Sequence, residues 1–185
     1  GTRALATLGT GDELNVVGPL GEPFSIEDDW QHLVLVARGV GLATLAPLAI
    51  EANRLGRKLT AICSARHPDY LMSTEHFAAL GADVITVTDD DGSSSPQNLE
   101  TILERLIAEG RADAFYTCGS NRLLRLLQKV GKAHGVPGQI ALEQQMACGL
   151  GMCQCCVRPL KRDGAIVYLR VCREGPVFDM SEVVA

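Results

Sequence analysis

The chain has 185 residues, of which 46% are hydrophobic and only 4% aromatic, so its core must be aliphatic. The net charge of −5 and the lack of any basic run argue against a nucleic-acid partner. No apolar stretch approaches the roughly 18 residues of a membrane-spanning helix. No apolar signal segment opens the chain, and its seven cysteines, an odd count, fit a reducing cytoplasm.

The first 28 residues do not follow the pattern of the rest. Glycine and proline turns flank one strand-like segment, Glu13–Val17. A single piece of hairpin size cannot bury a core alone. We therefore expect residues 1–28 to be the C-terminal remnant of a small β-domain whose main part is missing from this chain.

Residues 29–144 alternate strands and helices. The run Leu33–Ala37 is continuously apolar, as expected of a strand buried on both faces. The predicted strands are Leu33–Ala37, Thr60–Ala65, Asp83–Thr88, Ala114–Cys118 and Ile140–Glu143. The predicted helices are Thr44–Leu55, Ser73–Leu80, Pro96–Glu109 and Asn121–His134. Repeated β-α-β units predict the α/β class, with a parallel, doubly wound, nucleotide-binding sheet.

Three of these strands end in candidate nucleotide-binding residues. Gly39 and Gly41 precede the first helix, where glycines allow a pyrophosphate to approach; tight strand-to-helix packing without a ligand is the alternative. Cys118 and Gly119 end the fourth strand, so Cys118 is expected at the same crevice, as a nicotinamide contact or as a buried structural cysteine. Arg66 follows the second strand and would favour a 2′-phosphate, so the choice between NAD and NADP stays open.

The other polar motifs predict surface structure. The acidic, serine-rich segment 89–96 lacks the later glutamate of a calcium loop, so we expect a solvated turn. The four histidines show no metal-ligand spacing and are expected on the surface or in loops: His32, His67, His76 and His134.

The tail, residues 145–185, carries the most specific motif, C-x4-C-x2-C with a fourth cysteine further on. This is the ligand spacing of a plant-type [2Fe–2S] cluster. Gly149 and Gly151 would let the backbone bend sharply around the sulfurs. The predicted ligands are Cys148, Cys153, Cys156 and Cys172.

Other interpretations of the cysteines remain. Structural zinc usually shows two separated C-x2-C pairs, whereas the grouping here is three plus one. Buried reduced cysteine suits the isolated Cys63. Cys155 adjoins Cys156, so only one of the two should face the metal, and the spacing favours Cys156. A tail of this size needs a metal staple to be stable, and Ala165–Val171 predicts a hairpin within it.

The whole pattern resembles the iron–sulfur electron-transfer subunits of NAD-linked dihydroorotate dehydrogenases, within the ferredoxin reductase superfamily. The resemblance is strongest in residues 142–153 and 171–179, around the cluster loop and the closing cysteine, and covers essentially the whole chain. It implies that residues 1–28 are the end of an FAD-binding β-barrel. Gly1 and Thr2 resemble the end of its pyrophosphate-binding segment. Three residues depart from the family's usual glycine or proline: Arg38, Thr44 and Ser120.

The resemblance also implies an electron relay. A catalytic partner containing FMN would oxidise dihydroorotate, and the [2Fe–2S] cluster would pass single electrons to FAD, which reduces NAD. The chain would then be part of a hetero-oligomer. Two alternatives stay open. One is a subunit of another oxidoreductase, such as a sulfide dehydrogenase, a bifurcating NAD–ferredoxin enzyme or an oxygenase reductase. The other is a zinc-stapled regulatory module that binds nucleotides.

Overall fold

The computed structural model describes residues 1–184, and its main element is a sheet of six strands. In chain order the strands are β1 (His32–Arg38), β2 (Lys58–Ala65), β3 (Asp83–Thr88), β4 (Ala114–Cys118), β5 (Gly138–Ala141), β6 (Val157–Arg162), β7 (Ala165–Arg170) and β8 (Val177–Asp179). The sheet order is β3-β2-β1-β4-β5-β8, with β8 antiparallel to β5 and every other pair parallel. Strands β6 and β7 form a separate antiparallel hairpin.

Helices cover both faces of the sheet. The covering helices are α2 (Gly41–Arg54), α3 (Thr74–Ala79), α4 (Pro96–Ala108) and α5 (Asn121–His134), with a 3₁₀ turn at Pro68–Tyr70; the short first helix, α1 (Thr2–Leu5), has no buried residue. Alternate residues of β1 enter two cores: Leu33 and Leu35 pack with α2 and α3, whereas Val34 and Val36 pack with α4 and α5. The α/β architecture with a parallel sheet is thereby confirmed. Within residues 1–184, no helix is long and apolar enough to cross a membrane.

Several element boundaries differ from the predictions, and two of the differences, in β5 and α2, have a clear physical reason. Strand β5 covers Gly138–Ala141 rather than Ile140–Glu143, because its register on β4 pairs Ala141 with Cys118 and Gly138 with Phe115. Helix α2 begins at Gly41 rather than Thr44. Glycine is a poor helix former, so sequence alone favoured the later start.

The N-terminal segment shows that one predicted strand is wrong. Residues 13–17 pair with no strand in the described chain, and Val16 and Val17 are 78% and 71% exposed. A strand needs a hydrogen-bonded neighbour, and this segment has none. The barrel origin of residues 1–28 therefore stays a prediction. Hydrogen bonds to the rest of the chain begin at Glu22, whose N–H donates to the Gly175 carbonyl, and continue where the Tyr116 hydroxyl donates to the Ser25 carbonyl at 2.7 Å.

The C-terminal segment both forms the predicted hairpin and completes the sheet. The predicted hairpin is present but larger than expected: Ala165–Arg170 forms only one arm, and β6 forms the other. The chain then returns to the sheet as β8, where Phe178 pairs with Ile140. Leu160 of β6 and Phe178 belong to the same core as α4 and α5. The tail is thus packed onto the nucleotide-type sheet.

His32 corrects the expectation that every histidine lies on the surface or in a loop. It begins the central strand β1, is only 8% exposed, and its Nε2 lies 3.0 Å from the Thr60 hydroxyl. Burial, followed by the neighbouring charge of Arg111, lowers the pKa of His32. The predicted strand began at Leu33, whereas β1 begins at His32, so this histidine lies within the sheet and is buried.

Candidate cluster site and nucleotide crevice

The four predicted ligands lie as two neighbouring pairs. The Cys153 N–H lies 3.5 Å from the Cys148 sulfur, and the two side chains also interact. The Cys172 N–H lies 3.4 Å from the Cys156 sulfur, to which the Cys172 thiol also donates. Cys153 and Cys156 are three residues apart, and Arg170, two residues before Cys172, donates to the Gly151 carbonyl between Cys148 and Cys153, so the two pairs lie on neighbouring segments. Two thiolates for each of two irons is the ligand set of a [2Fe–2S] cluster, and this arrangement fits it.

Backbone N–H groups surround the sulfur of Cys148. Those of Cys153 and Leu150 donate to it, and they hold the pKa of Cys148 at about 6. Gly149 and Gly151 have φ angles of +68° and +79°, which allow the loop to turn its N–H groups inward. Such donors stabilise the thiolate, which is the form that binds a metal. In residues 1–184, no three Cys, His, Asp or Glu side chains are placed to hold a single metal ion.

The structure separates the adjacent cysteines 155 and 156. Cys156 is 2% exposed and faces Cys172, whereas Cys155 is exposed. Burial acts to raise the pKa of Cys156, but hydrogen bonds from the N–H and thiol of Cys172 bring it below its usual value. The hydrogen bond to Cys156 raises the pKa of Cys172. This placement supports Cys156 as the ligand of the two.

Arg170, at the end of β7, is a residue of the site that the sequence analysis did not single out. Its guanidinium donates to the Gly151 carbonyl at 2.7 Å and pairs with Glu174. The only sequence signal was the spacing of four residues between an arginine and a glutamate, which is common on any surface. Its place beside the cysteine loop depends on the tertiary fold.

At the nucleotide crevice, the predicted residues Gly39 and Gly41 have different structural roles. A Cβ on Gly41 would lie 2.8 Å from the Cys118 carbonyl oxygen, so this glycine is required for packing α2 against β4. Gly39 has a φ of +55° and open space around it. No side chain caps the N-terminus of α2. The packing role of Gly41 is therefore visible, and contact of either glycine with a ligand stays a prediction.

Cys118 lies where the crevice meets the cluster site. It is 7% exposed, and burial raises the pKa of its thiol, which also lies near Thr44 and Glu143. A cavity of about 270 Å³ is bordered by Cys118, Thr44, Met146 and Cys172. The fold thus brings the predicted nicotinamide contact and the fourth predicted cluster ligand to one cavity, although they are distant in sequence.

An ion pair spans the carboxyl ends of β1, β2 and β3. The Arg38 guanidinium donates to Asp89 at 3.0 and 2.5 Å and to the Ala65 carbonyl at 3.3 Å. Hydrogen bonds from Arg38 and then Ser94 lower the pKa of Asp89 to about 2. The acidic turn is on the surface as predicted, but this pairing was not anticipated. Arg66 is exposed beside it.

Gly1 and Thr2 lie apart from these features. They are exposed, and Thr2 begins the short helix α1. The described cavities around the crevice are lined by residues from Leu20 onward. The structure therefore does not bring Gly1 and Thr2 to the crevice, and their contact with FAD stays a prediction.

Comparison with known sequences points to one family. Residues 143–184 match the iron-sulfur cluster binding domain of dihydroorotate dehydrogenase B. The electron transfer subunit of dihydroorotate dehydrogenase B (NAD(+)) from Caldanaerobacter subterraneus subsp. tengcongensis is 36% identical over 184 residues, which cover 99% of this chain and 71% of that one. The subunit of the same name from Enterococcus faecalis is 34% identical over 189 residues, covering 100% and 71%.

Solved structures share the fold. A structure of an NADH-dependent reduced ferredoxin-NADP oxidoreductase, described for flavin-based electron bifurcation, matches with a TM-score of 0.77 at 31% identity. The match covers 99% of this chain and 64% of that chain. The C-terminal domain of the PF1911 hydrogenase from Pyrococcus furiosus has a TM-score of 0.56 at 18% identity, covering 66% and 98%, which shows the fold alone.

Proposed function

The chain belongs to the family of dihydroorotate dehydrogenase B (NAD(+)) electron transfer subunits, and from this premise we propose that it passes electrons from dihydroorotate oxidation to NAD⁺. It is an oxidoreductase subunit, and oxidation of the substrate belongs to its partner. In the overall reaction dihydroorotate loses two electrons and two protons to become orotate. NAD⁺ takes up both electrons and one proton as a hydride, and the second proton is released.

We assign cluster binding to Cys148, Cys153, Cys156 and Cys172. The single observation that carries this assignment is their placement as two neighbouring pairs inside the segment that matches the family's iron–sulfur domain. A bound [2Fe–2S] cluster supplies one-electron transfer between cofactors that exchange electrons in pairs. The chain contributes N–H donors that stabilise the thiolate of Cys148, and it buries Cys156 and Cys172 away from water.

We propose that NAD occupies the carboxyl ends of β1 and β4, beside Gly39, Gly41 and Gly119. The strand order reverses between these strands, and parallel sheets bind ligands at such a point. Cys118 would contact the nicotinamide from the wall of the cavity that it shares with Cys172. FAD suits the reductase fold, and its contact with Gly1 and Thr2, which are exposed, stays a prediction.

The proposed setting is a hetero-oligomer with a catalytic, FMN-containing subunit in the cytoplasm. The relatives are named as subunits of such an enzyme. Cluster assembly needs reduced cysteines, which a reducing compartment maintains. We propose three functional parts, with residues 1–28 as barrel remnant, 29–144 for NAD and 145–185 for the cluster; β8 of the third part packs into the sheet of the second.

The test of cluster binding uses serine variants of the full chain, purified without oxygen and reconstituted with iron and sulfide. Iron and sulfide content and the visible spectrum should show loss of the cluster when any of the four assigned cysteines is replaced. Cys155→Ser is the matched control and should keep it. Loss in Cys155→Ser with retention in Cys156→Ser would overturn the ligand assignment. A colourless wild type that binds zinc and fails reconstitution would favour the zinc-stapled module.

The reaction itself is tested in the complex with the catalytic subunit. Dihydroorotate-dependent formation of NADH should require both subunits and an intact cluster. The likeness to the ferredoxin-NADP oxidoreductase structure, at a TM-score of 0.77, favours a second candidate, a subunit of a bifurcating NAD–ferredoxin enzyme. Joint oxidation of NADH and reduced ferredoxin by NADP⁺, with no orotate formed, would select that candidate.

A further inference from the structure

One arginine connects the two halves of the cluster site. Arg170 donates from Nη1 to the Gly151 carbonyl at 2.7 Å, and Gly151 lies within the loop that carries three cysteines. Its Nε lies 3.0 Å from a carboxylate oxygen of Glu174, and its backbone N–H donates to the same oxygen at 2.8 Å. Glu174 is two residues beyond Cys172. One side chain therefore ties the loop to the segment of the distant fourth cysteine.

The charge of Arg170 lies close to two of the assigned ligands. In the hairpin it pairs with Val157, the residue after Cys156, and in sequence it precedes Cys172 by two residues. Its Nη1 also lies 3.3 Å from the position that a Cβ on Gly151 would occupy, so the guanidinium packs directly against the cysteine loop. The hairpin pairing and the contact with Gly151 therefore hold this cation between the segments that carry the assigned ligands.

We propose that Arg170 is the positioning residue of the cluster site, and that its charge raises the reduction potential of the cluster. Glu174 orients the guanidinium and opposes its charge. The inference rests on the proposed function. Reduction adds negative charge, which a nearby cation stabilises, so net charge and hydrogen bonding set the potential of such clusters. An arginine suits the place because its rigid, planar fork can bond the Gly151 carbonyl and the Glu174 carboxylate together.

The same hairpin offers a matched control. Arg162 pairs with Glu182, Nε to Oε2 at 2.7 Å, and its side chain is 46% exposed, against 28% for Arg170. It ends β6, six residues after Cys156, about 20 Å away along an extended strand. Salt screens charges over about 10 Å at 0.1 M ionic strength. Removing the charge of Arg162 should therefore leave the potential unchanged.

The experiment compares the full chain and four variants, each reconstituted anaerobically: R170Q, R170K, E174Q and R162Q. Potentiometric titration followed by the visible spectrum gives the cluster potential, and iron release to a chelator gives the stability of the site. We expect R170Q to have a lower potential than wild type and to release iron several-fold faster. E174Q should have a higher potential. R170K should keep a potential near that of wild type while releasing iron faster, and R162Q should match wild type in both measurements.

The outcomes test the positioning role of Arg170 and the effect of its charge separately, and they distinguish both from a failure of the proposed function. If R170Q holds no cluster while R162Q does, positioning is supported, and the signs of E174Q and R170K test the charge. Equal iron release and equal potential in R170Q and R162Q would overturn the inference. A shift of the same sign in R170Q and E174Q would do so as well. A wild type that binds no cluster would instead overturn the proposed function.

Discussion

Replacement of Phe178 by alanine should loosen the C-terminal segment from the sheet. Phe178 is the central residue of β8, is 3% exposed, and packs in the core shared with α4 and α5. Truncation of a buried phenylalanine to alanine costs ~3–5 kcal/mol, because transfer free energy is lost and a cavity remains. Whole domains are stable by about 5–15 kcal/mol, so this one change should remove a large share of the free energy of unfolding.

Denaturant and thermal unfolding of the full chain measure this effect. At this chain length each kcal/mol lowers the melting temperature by about 2–4 °C, so Phe178→Ala should melt roughly 6–20 °C below wild type. Tyr168→Ala is the control, since Tyr168 is an aromatic residue of the same tail that is 70% exposed. A surface change of that kind should alter stability by no more than about 0.5 kcal/mol.

The same variant tests whether attachment of β8 protects the cluster site. Cys172, 5% exposed, precedes β8 by five residues, and loss of the Phe178 anchor should expose it to solvent. Reconstituted Phe178→Ala should therefore release iron to a chelator faster than Tyr168→Ala. Equal melting temperatures in the two variants would refute the packing argument, and equal iron release would refute the link between β8 and the cluster site.

Three further changes test other parts of the structure. Gly41→Ala should destabilise the fold by about 1–3 kcal/mol in denaturant unfolding, because the alanine Cβ would meet the Cys118 carbonyl. Alanine is the better helix former, so a gain in stability would contradict this prediction. The pKa of His32 is lowered in the folded state, so the unfolded chain takes up a proton more readily than the folded one, and wild-type stability should fall as pH drops below 6.5. His32→Gln should flatten this dependence of stability on pH in unfolding measured from about pH 5 to 7. An unchanged slope would count against the argument. Asp89 has a folded pKa of about 2, so the stability that its pairing with Arg38 gives is present above pH 3.8 and is lost as pH falls towards 2. Asp89→Asn should lose that part of the acid dependence of stability. Acid unfolding identical to wild type would argue that the pair is not formed in solution.

The centre of the sheet could be predicted because β1, β2 and β4 are buried on both faces. The continuous apolar run Leu33–Ala37 leaves few alternatives to a central strand. The predictions are weaker where pairing with a neighbouring strand determines whether and where a strand forms. Glu13–Val17 has the composition of a strand but no pairing partner among the described residues. The position of β5 follows its register on β4, and that register is absent from the local pattern.

The candidate site could likewise be predicted only in part from the sequence. Cysteine spacing predicted which four sulfurs to examine, because a loop of fixed length limits where its ligands can reach. The spacing could only favour Cys156 over Cys155, whereas the structure shows Cys156 buried beside Cys172. Arg170 carries no motif that marks it from sequence.

By itself, the sequence determined the parallel sheet with its alternating helices, and it predicted the ligands of the cysteine tail. These follow from periodicity and spacing, which act over a few residues along the chain. Only the tertiary structure decided that β8 completes the sheet, that Arg38 pairs with Asp89 and that Arg170 binds Gly151. Each of these contacts joins segments that become neighbours only when the core is packed, and their geometry depends on that packing and not on the local sequence.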